Sequence, residues 1–200
     1  PKDRVNKLPS IPIGWKWCTV KELLEYNRTC AYGVLQPGKE VENGIKLIRV
    51  GDINNGRIST KNLKRINKKI ADKYQRTYLK GGEMLISLVG AIGRTAVVPN
   101  NLFGANTARA VGVVPFSKCL NVYYLELFFR NTSKAEEMIS LAHEVARKTL
   151  NLEDVREATI AVPSLEEQHQ IVREIESRLS ICDKVEQNIN EGLEKSEALR

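Results

Sequence analysis

Short apolar runs bounded by glycine, asparagine and proline recur through residues 15–163 and predict β-strands. The alternation in GWKWC predicts the first strand, and Asn55-Gly56 predicts a hairpin turn inside IKLIRVGDINNGRI, because both residues tolerate positive φ. Further strands are predicted at Met84–Leu88, at Thr95–Val98, within ARAVGVVPF and within TIAVP. Strands outnumber helices, and hairpins outnumber βαβ units, so the pattern predicts an α+β fold with a mixed, partly antiparallel sheet.

Helical spacing occurs in four short stretches between these strands. Capping boxes at Thr19 and Glu22, and at Ser133 and Glu136, predict two helix starts. Leu63, Ile66 and Ile70 in the lysine-rich stretch fit either a loop or a loose amphipathic helix. NVYYLELFFRN predicts an amphipathic helix, whose buried side we expect to hold Tyr124, Leu125, Phe128 and Phe129.

The chain ends in one long helical pattern. Pro163 ends the last strand, and Ser164 with Glu167 forms a capping box. A helix from there to Arg200 would be about 54 Å long, too long for its own domain to cover beyond the first turns. Apolar steps of three and four residues are typical of a coiled coil, so we predict pairing with a second helix. The predicted pairing residues are Val172, Ile175, Leu179, Cys182, Val185, Ile189 and Leu193.

Charge divides the chain in the same place as the helical pattern. The total net charge is +7, but residues 165–200 hold nine acidic and five basic residues, a net −4, which leaves +11 on residues 1–164. Residues 54–80 alone carry +8. Clustered cations are typical of a protein that binds a polyanion, although a solvated lysine-rich face explains them equally well. The charge thus divides the chain into a basic domain at residues 1–163, which a polyanion would suit, and an acidic helix at 164–200, which would meet a different partner.

Composition excludes several other classes of protein. The four cysteines are scattered, with no CxxC pair and only two histidines, which favours reduced thiols over a zinc site. No run of eighteen apolar residues predicts a membrane span, and the first fifteen residues lack the apolar core of a secretory signal. These features predict a cytoplasmic protein.

A search for catalytic motifs finds none with a specific signature. The sequence has no phosphate-binding loop, no methyltransferase cofactor loop and no nuclease-type acidic cluster, and His143 and His169 lack nucleophilic neighbours. The loop GAIGR at residues 90–94 fits a hairpin turn, and it also fits the GxxG clamp with which KH domains hold nucleic acid. We predict no catalytic residue and no metal site.

Several segments together resemble a known family. They are LPSIPIGWKWCTVKELL, AYGVLQPGKEV, IKLIRVGDINNGRI, LKGGEMLISLVGAIGRTAVVP and, most specifically, LNLEDVREATIAVPSLEEQHQIVREIE. In this order they resemble one target-recognition domain, with its following helix, of the specificity subunit of type I restriction–modification enzymes. Glu83 stands where aspartate is frequent in the family, and Ser164 replaces a second proline. LEKSEALR resembles the end of the family's helix.

The resemblance implies a non-catalytic subunit that reads one half of a bipartite duplex DNA target through the major groove. It implies that residues 1–163 form the DNA-binding domain and that the helix at 164–200 pairs with another helix and docks methyltransferase subunits and, through them, motor-nuclease subunits. The long helix would pair with that of a second recognition domain or of a second copy. The chain would need no cofactor, whereas the partner subunits would use S-adenosylmethionine, ATP and Mg. A half-length parent subunit that dimerises fits this pattern as well.

Candidate DNA contacts follow from charge and from side-chain chemistry. For the phosphate backbone we select Arg57, Lys61, Lys64, Arg65, Lys68 and Lys69. For base edges we select Arg94, Asn106 and Arg109, and Arg147 and Lys148 fit either role. Alternative functions are an RNA-binding module that uses the GxxG loop, an enzyme, and an assembly protein that uses only the long helix.

Overall fold

A computed structural model describes residues 8–144 and 148–198, with side chains at all of them except 143–144 and 192–198. The strands are β1 (Lys16–Thr19), β2 (Ala31–Tyr32), β3 (Ile45–Ile48), β4 (Ile53–Asn54), β5 (Arg57–Ile58), β6 (Lys64–Ile66), β7 (Met84–Ser87), β8 (Thr95–Val97), β9 (Asn106–Thr107), β10 (Val111–Val114), β11 (His143–Glu144), β12 (Lys148–Thr149) and β13 (Thr159–Val162). The helices are α1 (Lys68–Ala71), α2 (Val122–Arg130), α3 (Thr132–Leu141), α4 (Leu152–Glu157) and α5 (Leu165–Ala198).

A four-stranded antiparallel sheet in the order β2-β10-β7-β8 forms the centre of the fold. The side chains of β7, β8 and β10 are all buried. Met84, Ile86 and Val114 pack into one core, whereas Leu85 and Val113 pack into a second core on the opposite face. Both faces of the sheet are therefore covered, which explains why these strands read as continuous apolar runs.

Smaller sheets attach the remaining strands. β1 pairs antiparallel with β13, so the start of the described chain lies beside the strand that leads into α5. β3 lies between antiparallel β6 and parallel β9. β4 and β5 form the hairpin predicted at Asn55-Gly56, where the φ angles are 46° and 75°. The mixed α+β architecture and the predicted strands are confirmed.

The main core joins the central sheet to α2, α4 and the first turns of α5. Leu125 and Phe129 of α2, Val155 of α4 and Val172 of α5 are buried together with Ile160 of β13. Tyr124 is buried as predicted, and its hydroxyl donates to the Ala161 carbonyl. Phe128 is only half-buried. α5 therefore starts as part of the domain.

Local structure differs from the sequence predictions at three places. The lysine-rich stretch is neither a loop nor one helix, because β6 and α1 divide it and a 3-10 turn over Asp72–Thr77 follows. α3 begins before Ser133, and its cap is Asn131, whose side chain accepts from the Ser133 N–H at 3.0 Å. The Ser164 hydroxyl does cap α5, but Glu167 accepts from Trp15 Nε1 at 3.1 Å. None of the described helices combines the length and the apolar character needed to span a membrane.

Candidate nucleic-acid interface

Three of the side chains predicted to contact phosphate already have hydrogen-bond or ion-pair partners within the protein. Lys64 Nζ donates to the Gly38 carbonyl at 2.9 Å, and Arg65 Nη1 donates to the Gly44 carbonyl at 3.2 Å. Lys68 pairs with Asp72, with Nζ and Oδ2 2.8 Å apart. Because these three cations already have partners in the protein, they offer a ligand less positive charge than the sequence suggests.

A second set of basic side chains lines a groove of about 970 Å³. The groove lies between residues 72–77, β2 and the start of α4, and its basic side chains are Lys73, Arg76, Arg109 and Arg156. Within residues 8–144 and 148–198, the side chains of Lys73, Arg76 and Arg109 make no hydrogen bond or ion pair, and all three are exposed. We call this site the basic groove. Arg109 was selected from the sequence, whereas Lys73 and Arg76 were missed although they belong to the +8 stretch.

One wall of the basic groove is a kinked helical segment. At Tyr74, inside the 3-10 segment Asp72–Thr77 that follows α1, the backbone leaves the helical region, with φ −120° and ψ 50°. Asn106 Nδ2 donates to the carbonyl of Tyr74 at 3.3 Å and, more weakly, to that of Ala71 at 3.5 Å. Its Oδ1 accepts from Thr77 Oγ1 at 2.7 Å. The kink thus places Lys73, Gln75 and Arg76 on the groove.

Asn106 itself is fully buried, so the prediction that it contacts a base edge is wrong. Its amide already has partners on both of its polar atoms, including the Thr107 N–H at 2.8 Å from Oδ1. A buried amide needs such partners because an unsatisfied polar group in the interior is costly. Asparagine can hydrogen-bond to adenine, and it can also join two segments of a protein. The sequence does not show which of these roles Asn106 has.

The opposite wall carries Arg109 on a tightly fixed loop. The Arg109 N–H donates to the Val34 carbonyl at 2.9 Å, and the Val34 N–H donates to the Thr107 carbonyl at 2.7 Å. A Cβ on Gly33 would lie 2.1 Å from the Thr107 carbonyl oxygen, so only glycine allows these strands to approach so closely. Arg109 therefore projects from a rigid backbone that the groove shares with β2.

The two carboxylates that line the basic groove are neutralised by neighbours. Asp72 accepts hydrogen bonds from Lys68 and from the Tyr78 hydroxyl, which lower the pKa of Asp72. Glu153 pairs with Arg156 Nη1 at 3.1 Å. With these pairs cancelled, the charge left in the groove is that of Lys73, Arg76 and Arg109.

A second basic surface surrounds the glycine-bearing loop. This loop joins antiparallel β7 and β8, which confirms the hairpin-turn interpretation of GAIGR. Arg94 is exposed, and its Nη1 lies 3.4 Å from the Ile53 carbonyl of β4, next to the strand that carries Arg57. Val89 forms a bridge to Thr149, which follows exposed Lys148. The structure thus brings Arg57, Arg94 and Lys148 to one region, whereas Arg147 lies outside the described residues.

The first turns of α5 are held to the domain by polar contacts. The Asn121 N–H donates to Gln168 Oε1 at 2.9 Å, and Gln168 Nε2 donates to the Pro163 carbonyl at 3.1 Å. His169 Nδ1 lies 2.9 Å from Asn121 Nδ2. Val172 is only 6% exposed and packs in the main core, so its predicted role in helix pairing is wrong.

We call the first turns of α5 that pack on the domain its root. Beyond the root, the predicted pairing residues lie on a part of the helix that the domain leaves largely exposed. Ile175 is half-buried and lines an apolar cleft of about 470 Å³ together with Trp15, Trp17 and Phe128. The remaining predicted pairing side chains with described positions are all exposed: Leu179, Cys182, Val185 and Ile189. The Leu193 side chain lies outside the described residues. We call these exposed apolar side chains the seam of α5.

The family model for the type I restriction modification DNA specificity domain matches residues 12–195. The chain belongs to this family. The matched range contains the central sheet, the basic groove and the described seam of α5. The resemblance drawn from short sequence segments is confirmed.

Individual relatives agree with this family. The chain is 36% identical over 184 residues to the type I restriction enzyme EcoBI specificity subunit of Escherichia coli, which covers 92% of the chain and 39% of that subunit. A chain from a study of complex assembly and conformational transition of the type I R-M system superimposes with a TM-score of 0.60 at 17% identity over 88% of this chain and 42% of that one. The HsdS subunit from Thermoanaerobacter tengcongensis gives 0.57 at 18% identity, over 88% and 41%. The chain thus spans about two fifths of the length of the relatives that it matches.

Proposed function

We propose that this specificity domain reads one half of a bipartite duplex DNA target for a type I restriction–modification complex, and that it is not itself catalytic. The observation that carries the proposal is the family match over residues 12–195. The basic groove supports it physically: it gathers cations whose side chains have no partner in the described part of the chain, and phosphate contacts supply most of the affinity for duplex DNA. Base edges would then be read by side chains on nearby loops, of which Arg94 is one candidate.

We further propose that α5 pairs with a second long helix and docks methyltransferase subunits. Its exposed seam, which includes Leu179, Val185 and Ile189, has apolar spacing typical of a coiled coil. Residues 165–200 carry a net −4, which disfavours contact with DNA and favours contact with protein. In the assembled complex, motor-nuclease subunits would join through the methyltransferase subunits. S-adenosylmethionine, ATP and Mg would be bound by these partners, while the specificity domain would need no cofactor.

Duplex binding is tested by fluorescence anisotropy with a labelled mixed-sequence duplex over a series of salt concentrations. We expect the logarithm of the association constant to fall by about 0.9 per logarithmic unit of salt for each phosphate contacted. Single-stranded RNA of the same sequence is the competitor, since an RNA-binding module would prefer it. Binding without a salt dependence, or preferential binding of the RNA, would contradict the proposal.

The bipartite target and the docking are tested together in cells. Genomic DNA from cells that contain the full-length protein and its methyltransferase partner is mapped for methylated positions. We expect one split recognition sequence to be methylated throughout the genome. Replacing Val185 and Ile189 by aspartate should abolish this methylation, while duplex binding by the purified chain persists. Methylation that survives these substitutions would exclude the seam as the docking element.

A further inference from the structure

The basic groove differs from an ordinary lysine-rich surface because cations without side-chain partners share one concave site. Lys64, Arg65 and Lys68 each have a protein partner, whereas Lys73, Arg76 and Arg109 have none among the described residues. A cation without a protein partner is free to neutralise a phosphate, and this releases counterions that are condensed on the DNA. Arg57, Lys61, Lys69 and Lys80 also lack side-chain partners among the described residues, but they do not line the groove, which gathers three such cations in one concave site.

The shape of the groove indicates which part of DNA it fits. Base edges lie at the floor of the DNA grooves and are reached by protruding elements such as a helix or a β-ribbon. The phosphodiester backbone is the convex ridge of the duplex, and a concave, positively charged surface is complementary to it. Two of the three cations are arginines, whose planar guanidinium groups donate two parallel hydrogen bonds to one phosphate.

We propose that the basic groove binds the phosphodiester backbone of one DNA strand through Lys73, Arg76 and Arg109. This inference rests on the proposed DNA-reading function and assigns the phosphate contacts to a site other than the one that the sequence pattern favours. Tyr32, which is 43% exposed in the groove, adds a hydroxyl and an aromatic face beside the cations. The Asn106 amide and the close approach of Gly33 to Thr107 fix the positions of the two groove walls relative to each other.

The test compares single substitutions that remove charge but keep side-chain length. Lys73→Gln, Arg76→Gln and Arg109→Gln are made in the full chain and titrated with the mixed-sequence duplex at several salt concentrations. Lys80→Gln is the matched control, because Lys80 is an exposed lysine of the same cationic stretch, residues 54–80, that does not line the groove. All four side chains are exposed, so the variants should melt at the wild-type temperature, which a thermal scan verifies.

We expect each groove variant to lower the salt slope by about 0.9 and to weaken binding equally on different sequences. Lys80→Gln should lower the slope by clearly less. Groove variants that keep the wild-type slope, or that lose no more than Lys80→Gln, overturn the inference while wild-type binding still supports the proposed function. A wild-type chain without a salt slope overturns both. Variants whose slope changes only on single-stranded RNA overturn the assignment to duplex DNA.

Discussion

Asn106 joins two segments that are distant in sequence and that together form the basic groove. Its Nδ2 holds the kink at Tyr74, and its Oδ1 holds Thr77 and the Thr107 N–H. Exposed cations have many rotamers and cost little to replace, whereas a buried amide with several partners fixes backbone positions. The geometry of the groove therefore depends more on Asn106 than on any of its cations.

Replacing Asn106 by alanine should lower the free energy of unfolding by about 1–3 kcal/mol, because several buried polar groups lose their partner. Asn101→Ala is the control, since Asn101 is exposed, and its replacement should change stability by less than about 0.5 kcal/mol. Urea denaturation measures both. Equal stabilities for the two variants would show that the Asn106 network contributes nothing to the fold.

Glu126 is a second buried polar residue, and it makes stability depend on pH. It is 3% exposed and accepts from Thr95 Oγ1 at 2.9 Å. Burial raises the pKa of Glu126 above 4.5, despite the opposing effects of Thr95 and Arg130. A raised folded-state pKa favours the protonated native protein, so this contribution is complete below the unfolded pKa and is lost as pH rises through the folded pKa.

We therefore expect Glu126→Gln to gain stability relative to wild type as the pH rises from about 4 to 7. Glu22 gives the opposite sign, because hydrogen bonds from Thr19 lower the pKa of Glu22. Glu22→Gln should lose stability relative to wild type as the pH rises from about 3 to 5, because a lowered pKa acts at and below the unfolded value. Urea titrations at several pH values measure both differences, and two differences with the same sign would refute the argument.

At the scale of elements, α5 has two parts: the root, which packs on the domain, and a longer part whose side chains are exposed. Val172 is buried in the core, whereas Val185, almost four turns later, is 51% exposed. Val172→Ala should lower the free energy of unfolding of the monomer by roughly 1–3 kcal/mol, through lost burial and the cavity left behind. Val185→Ala should leave it unchanged within about 0.5 kcal/mol. Chemical denaturation at low protein concentration measures both, and equal losses would mean that α5 is covered along its length.

Elements defined by local chemistry could be predicted from the sequence. The Asn55-Gly56 hairpin, the apolar strands β7, β8 and β10 and the start of α5 depend on turn dipeptides, apolar runs and caps that lie within a few residues. The parallel pairing of β3 with β9 and the kink at Tyr74 depend on contacts between distant segments. For the same reason the sequence shows how many cations residues 54–80 contain. It does not show that the side chains of Lys64 and Arg65 donate hydrogen bonds to backbone carbonyl groups.

For the whole molecule, the root of α5 decides where the domain can be separated from the helix. Removing residues 165–200 would delete Gln168 and Val172 and so open the main core. From Glu176 to Glu191 every side chain is exposed, so a chain that ends at Ser177 keeps the root and loses the whole seam. The removed residues 178–200 carry five acidic and four basic side chains, a net charge of only −1.

The chain that ends at Ser177 should therefore fold, bind duplex DNA and keep the salt slope of the full chain, because the basic groove and the surface around Arg94 are unchanged. It should not associate through the seam, whereas the full chain should self-associate as its concentration rises, since exposed Leu179, Val185 and Ile189 gain burial when two helices pair. Sedimentation velocity over a concentration series and anisotropy titrations measure the two properties separately. The full chain with Val185→Asp and Ile189→Asp is the control, because it retains the helix but loses the apolar contacts. Loss of DNA binding in the truncated chain, with its thermal transition intact, would show that the distal half of α5 contacts DNA.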